Sequence, residues 1–392
     1  MKTNLLLLGS LLLSCFYVQA QSKVFKEVSD EISSQIKTIR QDDALVGYLV
    51  FTQLEKASED SFNYKLTIMD ENLNDIGTVN FRDEYLQLQS VSFEQDIICL
   101  AYLKSNVIDK KFKNRKAYNA AIPTAKNAIV TQFLNLDGKI INRNSVPATI
   151  DMSKTTIAYT GDKLMTNSKL KQEIQVRNIA QKGFALFYGD DEDNHLSVYD
   201  VNGKQLWKKK ISQIAKAYYL MASNEEIYLL SKKEDKNLEG GYEFAGYDFK
   251  GNTNYDKYVL KDKSGNSLKI IGVGNDPATN KPYMTGTILN PSIRGLYMVK
   301  DVTKGPYLGV FTINVNGPKK GDIKETFSYW NNGAYSTITE RGKFAESEAY
   351  SLLSQSFKDY NGDTYFVGSS VIKRPKWGSI ASSVILSPLI VV

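Results

Sequence analysis

One histidine, His195, and two cysteines, Cys15 and Cys99, are the whole supply of imidazole and thiol in 392 residues. A Ser-His-Asp relay would have to use His195, and no Gly-x-Ser-x-Gly elbow is present to expose a serine nucleophile. His195 stands in Asp193-Asn194-His195-Leu196, on a loop ahead of an expected strand, where a turn-bonding imidazole is the ordinary outcome. Zinc and haem sites are short of ligands in this chain. No Gly-x-Gly-x-x-Gly opens a helix after a strand, and no Gly-x-x-x-x-Gly-Lys-Ser/Thr cradle for phosphates occurs. The sequence therefore assigns no catalytic, cofactor-binding or metal-ligating residue, and no cofactor is expected.

Carboxylates are plentiful, at 43 Asp and Glu. The run Asp190-Asp191-Glu192-Asp193 offers hard oxygen to calcium, but contiguous carboxylates on one loop do not converge on an ion, so it reads as a solvated hairpin loop. Asp70-Glu71-Asn72-Leu73-Asn74-Asp75 has the alternation of a calcium loop. Asp75, however, stands where such a loop needs glycine and Phe81 where it needs the bidentate Glu, and a turn is the better reading. Glycosidase chemistry asks only for two carboxylates facing each other, and the sequence does not say which of the 43 converge. The clustered arginines and Asp-box turns of a sialidase are missing.

Positive charge is mild overall, a formal +6 from 49 basic and 43 acidic side chains. It is concentrated in Lys110-Lys111-Phe112-Lys113-Asn114-Arg115-Lys116 and in Lys208-Lys209-Lys210. Each is a candidate for a polyanion, and each is explained as well by a solvated loop or by a strand edge that lysines keep from pairing with another chain. No nucleic-acid partner is expected. Tyr329-Trp330 beside Asn331-Asn332 has the composition of a sugar-stacking loop, while most of the 24 tyrosines are expected to fill sheet faces.

The elements that must position such residues begin with residues 1–20, which read as a secretory signal. Lys2 gives the positive start, Leu5 to Leu13 the apolar stretch, and Val18-Gln19-Ala20 the small-residue cleavage pattern. The apolar run is shorter than the about 20 residues that cross a bilayer. Leu12-Leu13-Ser14-Cys15 has the order of a lipobox, so lipidation at Cys15 is the second reading. Cleavage at Ala20 leaves Cys99 alone, inside the apolar run Ile97-Ile98-Cys99-Leu100-Ala101, where a buried thiol is expected and no intramolecular disulfide is possible.

Over 21–42, Phe25, Val28, Ile32, Ile36 and Ile39 recur at helical spacing and predict an amphipathic helix packed on the body. From residue 43 the texture turns to runs such as Tyr48-Leu49-Val50-Phe51-Thr52 and Glu226-Ile227-Tyr228-Leu229-Leu230, separated by Asn, Asp, Gly and Ser. Few are followed by a helix long enough for a parallel crossover, so antiparallel neighbours are predicted. A strand, a glycine-tipped turn and a returning strand recur at Gly138, Gly203, Gly251 and Gly317, with a degenerate copy over 68–77. An inner strand, a variable loop and an outer hairpin, repeated at about 45 residues or longer, is the sequence form of a propeller blade. Paired β-sandwiches are the competing architecture.

The hairpin Val198 to Trp207 is similar to those in blades of quinoprotein-type propellers, and the chain from 45 to 370 resembles secreted bacterial β-propeller proteins of unknown function. The resemblance implies a fold and, its motifs being turn chemistry, little about activity. The expectation is an all-β chain: a β-propeller of about six or seven antiparallel blades over 43–392, with a short N-terminal helix. Ser383 to Val392 is either the strand that closes the ring or an incomplete last blade. The functional expectation is an exported, monomeric, non-enzymatic binding or scaffolding protein of the cell envelope, with a protein or glycan partner and no membrane span in the mature chain. The alternative is a glycan-active hydrolase using a carboxylate pair in the propeller funnel.

Overall fold

The computed structural model describes residues 33–58, 61–107, 111–150, 156–160, 163–167, 172–211, 215–224, 226–232, 241–293, 301–317, 319–331, 338–339, 341–372 and 388–391. The expected leader with Cys15, and the expected helix before residue 33, lie outside them. Among the described residues six blade-forming antiparallel sheets follow one another along the chain, with a small seventh beside them. The first holds β1 (Ser33–Gln41), β2 (Ala44–Ser58), β3 (Ser61–Met69) and β4 (Asp75–Asp83). The second holds β5 (Leu86–Glu94), β6 (Ile97–Ser105), β8 (Asn127–Asn135) and β9 (Ile140–Pro147). The excursion between β6 and β8 carries β7 (Lys111–Phe112) and α1 (Arg115–Ala121), the one α-helix among the described residues. β7 joins β10 (Thr156–Thr160) and β11 (Lys163–Asn167) in a small side sheet. The third sheet is β12 (Gln172–Ile179), β13 (Gly183–Gly189), β14 (Asn194–Asp200) and β15 (Gln205–Ile211). The fourth is β16 (Ala217–Ala222), β17 (Glu226–Lys232), β18 (Tyr242–Asp248) and β19 (Thr253–Leu260). The fifth is β20 (Leu268–Asn275), β21 (Pro282–Leu289), β22 (Tyr307–Val315) and β23 (Ile323–Tyr329). The sixth is β24 (Ala349–Lys358), β25 (Thr364–Ile372) and β26 (Pro388–Val391).

The hydrophobic core decides between a propeller and a pair of sandwiches. It is divided into five layers, and each is shared by two consecutive sheets. β6 shows how one strand serves two layers. Ile98, Leu100 and Tyr102 pack toward the first sheet, while Cys99, Ala101 and Leu103 pack toward the third. A sheet buried on both faces requires apolar residues at successive positions rather than at alternate ones. β13 and β21 are accordingly buried along their whole length. The first strands β1, β5, β12, β16, β20 and β24 are successive neighbours, so they form the inner wall of a six-bladed β-propeller.

Over Ser33–Gln41 the chain forms the strand β1, which corrects that part of the helix predicted over 21–42. Ile39 is buried, but Ile36, three residues earlier in the supposed stripe, is 57% exposed on the other face. β1 pairs with β2 from Ser33↔Gln53 to Gln41↔Ala44. Ladder bonds and burial of Ile39 in the layer between the first two blades outweigh a spacing that β-branched Ile36, Thr38 and Ile39 suit poorly in a helix.

The hairpin signal has a common mechanism. In six turns, starting at Asp70, Asn135, Asp200, Asp248, Asp262 and Asp359, the first residue's N–H donates to the fifth residue's carbonyl, and the fourth residue's N–H donates to the first's carbonyl. The first side chain's Oδ1 then accepts from the fifth N–H. The fourth residue must adopt positive φ. Gly138, Gly203, Gly251, Gly265 and Gly362 do so at 77° to 88°, and Leu73 at 64°. Gly317 falls outside this set, because Asn316 instead donates across a longer turn to Asp322.

Three of these turns clasp the preceding blade. A Cβ on Gly138 would lie 2.8 Å from Val79 of β4. One on Gly203 would lie 2.4 Å from the Phe133 ring, and Asn142 and Asn144 of β9 both donate to the Gly203 carbonyl at 3.0 Å. The turn at Gly251 rests on Trp207, whose Nε1 donates to the Phe249 carbonyl at 2.8 Å.

Candidate binding site in the axial channel

The inner strands converge on a cavity of about 280 Å³ lined from five blades. β1 supplies Lys37, Thr38 and Arg40, its turn supplies Asp43, and β5 supplies Gln89 to Ser92. Arg177 and Asn178 come from β12, Ala222 from the end of β16, and Asn275 from the end of β20. Apart from Asp43 these are first-strand residues, because the first strand of each blade faces the axis.

Side chains at one mouth stitch the blades together. Asn178 Nδ2 donates to Asp42 Oδ1 at 2.7 Å and to Glu94 Oε2 at 2.9 Å, and Asn178 Oδ1 accepts from the Asp42 N–H. Glu94, 1% exposed, also accepts from the Gln181 N–H at 3.0 Å. Asp43 Oδ1 faces Arg177 Nη1 at 3.6 Å, and Asp43 Oδ2 accepts from the Asn275 N–H. Asn275 Nδ2 donates to the Ala222 carbonyl at 2.8 Å. Arg177 Nε reaches the Leu220 carbonyl and Arg40 Nη1 the Asp43 carbonyl, at 3.2 and 2.7 Å. Blades one and five, 232 residues apart in sequence, meet through Asp43 and Asn275.

The turns at this mouth are backbone-strained. Asp42 and Asp43 both take positive φ, as do Gln95 and Asp96 in the β5–β6 turn. Two-residue hairpins of this kind favour glycine or asparagine. Here aspartate and glutamine occupy them, and at Asp42-Asp43 the result is one carboxylate, that of Asp43, in the cavity wall and a second, that of Asp42, bonded to Asn178.

The residues singled out from sequence lie elsewhere. His195 is in β14, not on a loop. Its ring lies against Tyr188 with centroids 4.8 Å apart, and its Nε2 is 4.0 Å from Asp190. Burial, with the nearby Lys208 charge, holds the imidazole below its ordinary pKa against the pull of Asp190 and Asp193. Asp190 is a turn-former whose Oδ1 accepts from the Glu192 and Asp193 N–H groups, so the acidic run is a hairpin loop. Asp70 likewise accepts from Asn72 and Asn74 as the head of a turn. Hydrogen bonds from Asn74 lower its carboxyl pKa. Lys208 and Lys209 lie over the Tyr188 and Tyr247 rings, and Lys210 pairs with Asp193. In the other basic cluster Phe112 is buried against Tyr118, Asn114 caps α1, and Arg115 and Lys116 are exposed. Trp330 is 4% exposed and Tyr329 donates to Asp262, which removes the sugar-stacking loop read at that pair. Cys99 is buried as expected, and burial pushes its thiol pKa well up. Among the described residues no helix is long and apolar enough to cross a membrane.

Sequence reasoning missed Lys37, Arg40, Asp43, Arg177 and Asn178. The available signal was polar residues on the first strand of successive blades, readable only once blade boundaries are known.

No family model matches the sequence, and no curated protein matches it. Among solved structures the chain is similar to an ACO/RPE65 chimera at 10% identity, covering 66% of this chain and 58% of that one with a TM-score of 0.33. It is also similar to the propeller of Dos1, at 9% identity over 83% and 73% of the two chains with a TM-score of 0.29. An exo-β-1,3-galactanase from Clostridium thermocellum aligns at 11% identity over 87% and 76%, with a TM-score of 0.31. This chain thus spans little more than half the length of the chimera it aligns with. Likenesses at this level leave the chemistry of the channel to its own residues.

Proposed function

We propose that this protein is an exported, non-enzymatic binding or scaffolding module of the cell envelope that holds a protein or glycan partner at the ends of its ring. The observation that carries the reading is the employment of the carboxylates at the axis. Both oxygens of Glu94 accept hydrogen bonds, from Asn178 and Gln181; Asp43 Oδ2 accepts from the Asn275 N–H while its Oδ1 is ion-paired with Arg177 at 3.6 Å, and Asp42 is held by Asn178. A glycosidase needs one carboxyl free to give a proton and one free to attack or to activate water. Carboxylates tied between blades serve instead to fix the ring and keep its loops in place for recognition. Export rests on the leader read in residues 1–20, and function on a propeller is argued from the site and not from the fold.

The test is a pull-down from envelope extracts run beside a glycan array, with polysaccharide hydrolysis assayed in parallel. Enrichment of a partner or glycan without turnover supports the module. Turnover that is lost in Glu94→Gln would establish the hydrolase, and a blank in both binding assays would remove the module.

A further inference from the structure

We propose that the axial channel binds an oxyanion, the carboxylate or phosphate group of a sugar-sized molecule, through Lys37, Arg40 and Arg177. The proposal rests on the reading of the protein as a binding module and adds the chemistry of what it binds. Three cations line the cavity against one carboxylate, that of Asp43. A cleft with an excess of one sign of charge raises the local concentration of counter-ions of the other sign.

Arg177 is partly engaged by Asp43 and the Leu220 carbonyl, but Lys37 and Arg40 are largely not consumed by the fold. Lys37 is tied to β2 through its backbone, and its ammonium makes no hydrogen bond or ion pair with any described residue. Arg40 bonds a single backbone carbonyl, at 2.7 Å, which leaves most of its guanidinium fork for a planar oxyanion. Ser90 Oγ accepts from the Val176 N–H, so its hydroxyl proton remains available to a ligand.

The chain itself shows what the place accepts. The Asp43 carboxylate sits between Arg177 Nη1 and the Asn275 N–H, presented by a turn with φ of 51° and 64° at its two aspartates. An internal carboxylate thus occupies one part of a basic site whose remaining donors, on Lys37 and Arg40, face the same cavity. At about 280 Å³ the space is near the lower edge of the about 300–1,000 Å³ usual for small-ligand pockets, which suits one sugar-sized molecule.

Calorimetric titration of the mature chain with glucuronate, glucose 6-phosphate and glucose tests the proposal. Saturable binding of either anion, weakened by added salt and absent for glucose, is expected. Glucuronate alone identifies a carboxylate ligand, and glucose 6-phosphate alone a phosphate. The double variant Lys37→Gln/Arg40→Gln should bind at least about tenfold more weakly. Asp43→Asn, which removes the competing charge and keeps an acceptor for Asn275, should bind more tightly. Urea unfolding of each variant confirms that it is folded. Equal binding of glucose, binding unchanged in the double variant, or no binding of either anion overturns the proposal. A partner still captured by a chain that binds neither anion leaves the module reading standing without this site, whereas loss of both removes the two together.

Discussion

Replacing Lys358 by methionine isolates the most buried ion pair between two blades among the described residues. Lys358, at the end of β24, places its Nζ 2.7 Å from Asp276 Oδ2 in the β20–β21 turn and 2.7 Å from Asn314 Oδ1, over the Tyr283 ring. The two side chains are 6% and 11% exposed. Burial alone would raise the Asp276 carboxyl pKa. Hydrogen bonds from Lys358 and from the Ala278 and Thr279 N–H groups, together with the Lys358 charge, outweigh it and hold the carboxyl below its ordinary value. Methionine keeps the aliphatic stem and deletes the charge, so the stem's packing on Tyr283 survives. Removing one partner of a buried pair costs about 3–5 kcal/mol. Asp276 Oδ1 retains the Ala278 N–H at 3.0 Å, which places the expected loss at the lower end, about 3 kcal/mol. Equilibrium urea unfolding at pH 7 measures it. A carboxyl depressed in the folded state stabilises above its unfolded value of about 4 and loses that contribution as pH falls through its folded value. The wild type therefore loses the pair's contribution in acid, and the gap to Lys358→Met narrows below about pH 4. The double variant Lys358→Met/Asp276→Asn should recover at least half of the loss at pH 7. A loss under about 1 kcal/mol, or a gap that persists unchanged into acid, refutes the account of a buried, uncompensated carboxylate.

Gly203→Ala and Gly265→Ala compare two glycines at nearly the same φ, 77° and 81°, one pressed on Phe133 and one in open space. Both lose about 1–2 kcal/mol from the left-handed backbone. Gly203→Ala should lose about 1–3 kcal/mol more by overpacking, and equal losses in thermal or urea unfolding would show that the turn does not clasp its neighbour. Cys99, buried with a raised pKa, should not react with a thiol reagent until the chain is unfolded; stoichiometric labelling of the native chain contradicts its place between blades two and three. The folded His195 resists protonation while the unfolded imidazole titrates near about 6.5, so stability falls as pH drops through that value, and His195→Gln removes the slope. A proton titration of this sole imidazole at or above 6.5 would disprove its burial among Tyr188 and Lys208.

The strands and the outer turns were legible because both are local. Apolar runs such as Phe184 to Tyr188 give strands buried on two faces, and Gly138, Gly203 and Gly251 mark turns whose chemistry lies within five residues. Gly265 and Gly362 belong to the same class. The bonds made by an Asp or Asn three positions earlier, and not the glycine alone, define the class; Asn314 stands three positions before Gly317 but the turn there closes differently, from Asn316 to Asp322. β1 was misread because Ile36 and Ile39 match a helix locally, while the β2 ladder and the layer against blade two lie elsewhere in the chain. The channel was hidden for a stronger reason. Asp43, Arg177 and Asn275 carry no motif, and only closing the inner wall brings them within bonding distance.

All three glycine clasps point backward along the chain: blade two grips β4, blade three grips β8 and β9, and blade four grips β15. During synthesis the amino-terminal part emerges first. Each newcomer thus meets a finished ledge on its predecessor, and the ring can be assembled in ribosomal order without waiting for its far end. The Asp43–Asn275 link runs the other way, from the first blade to the fifth, and is a fastening that only a nearly whole circle can make.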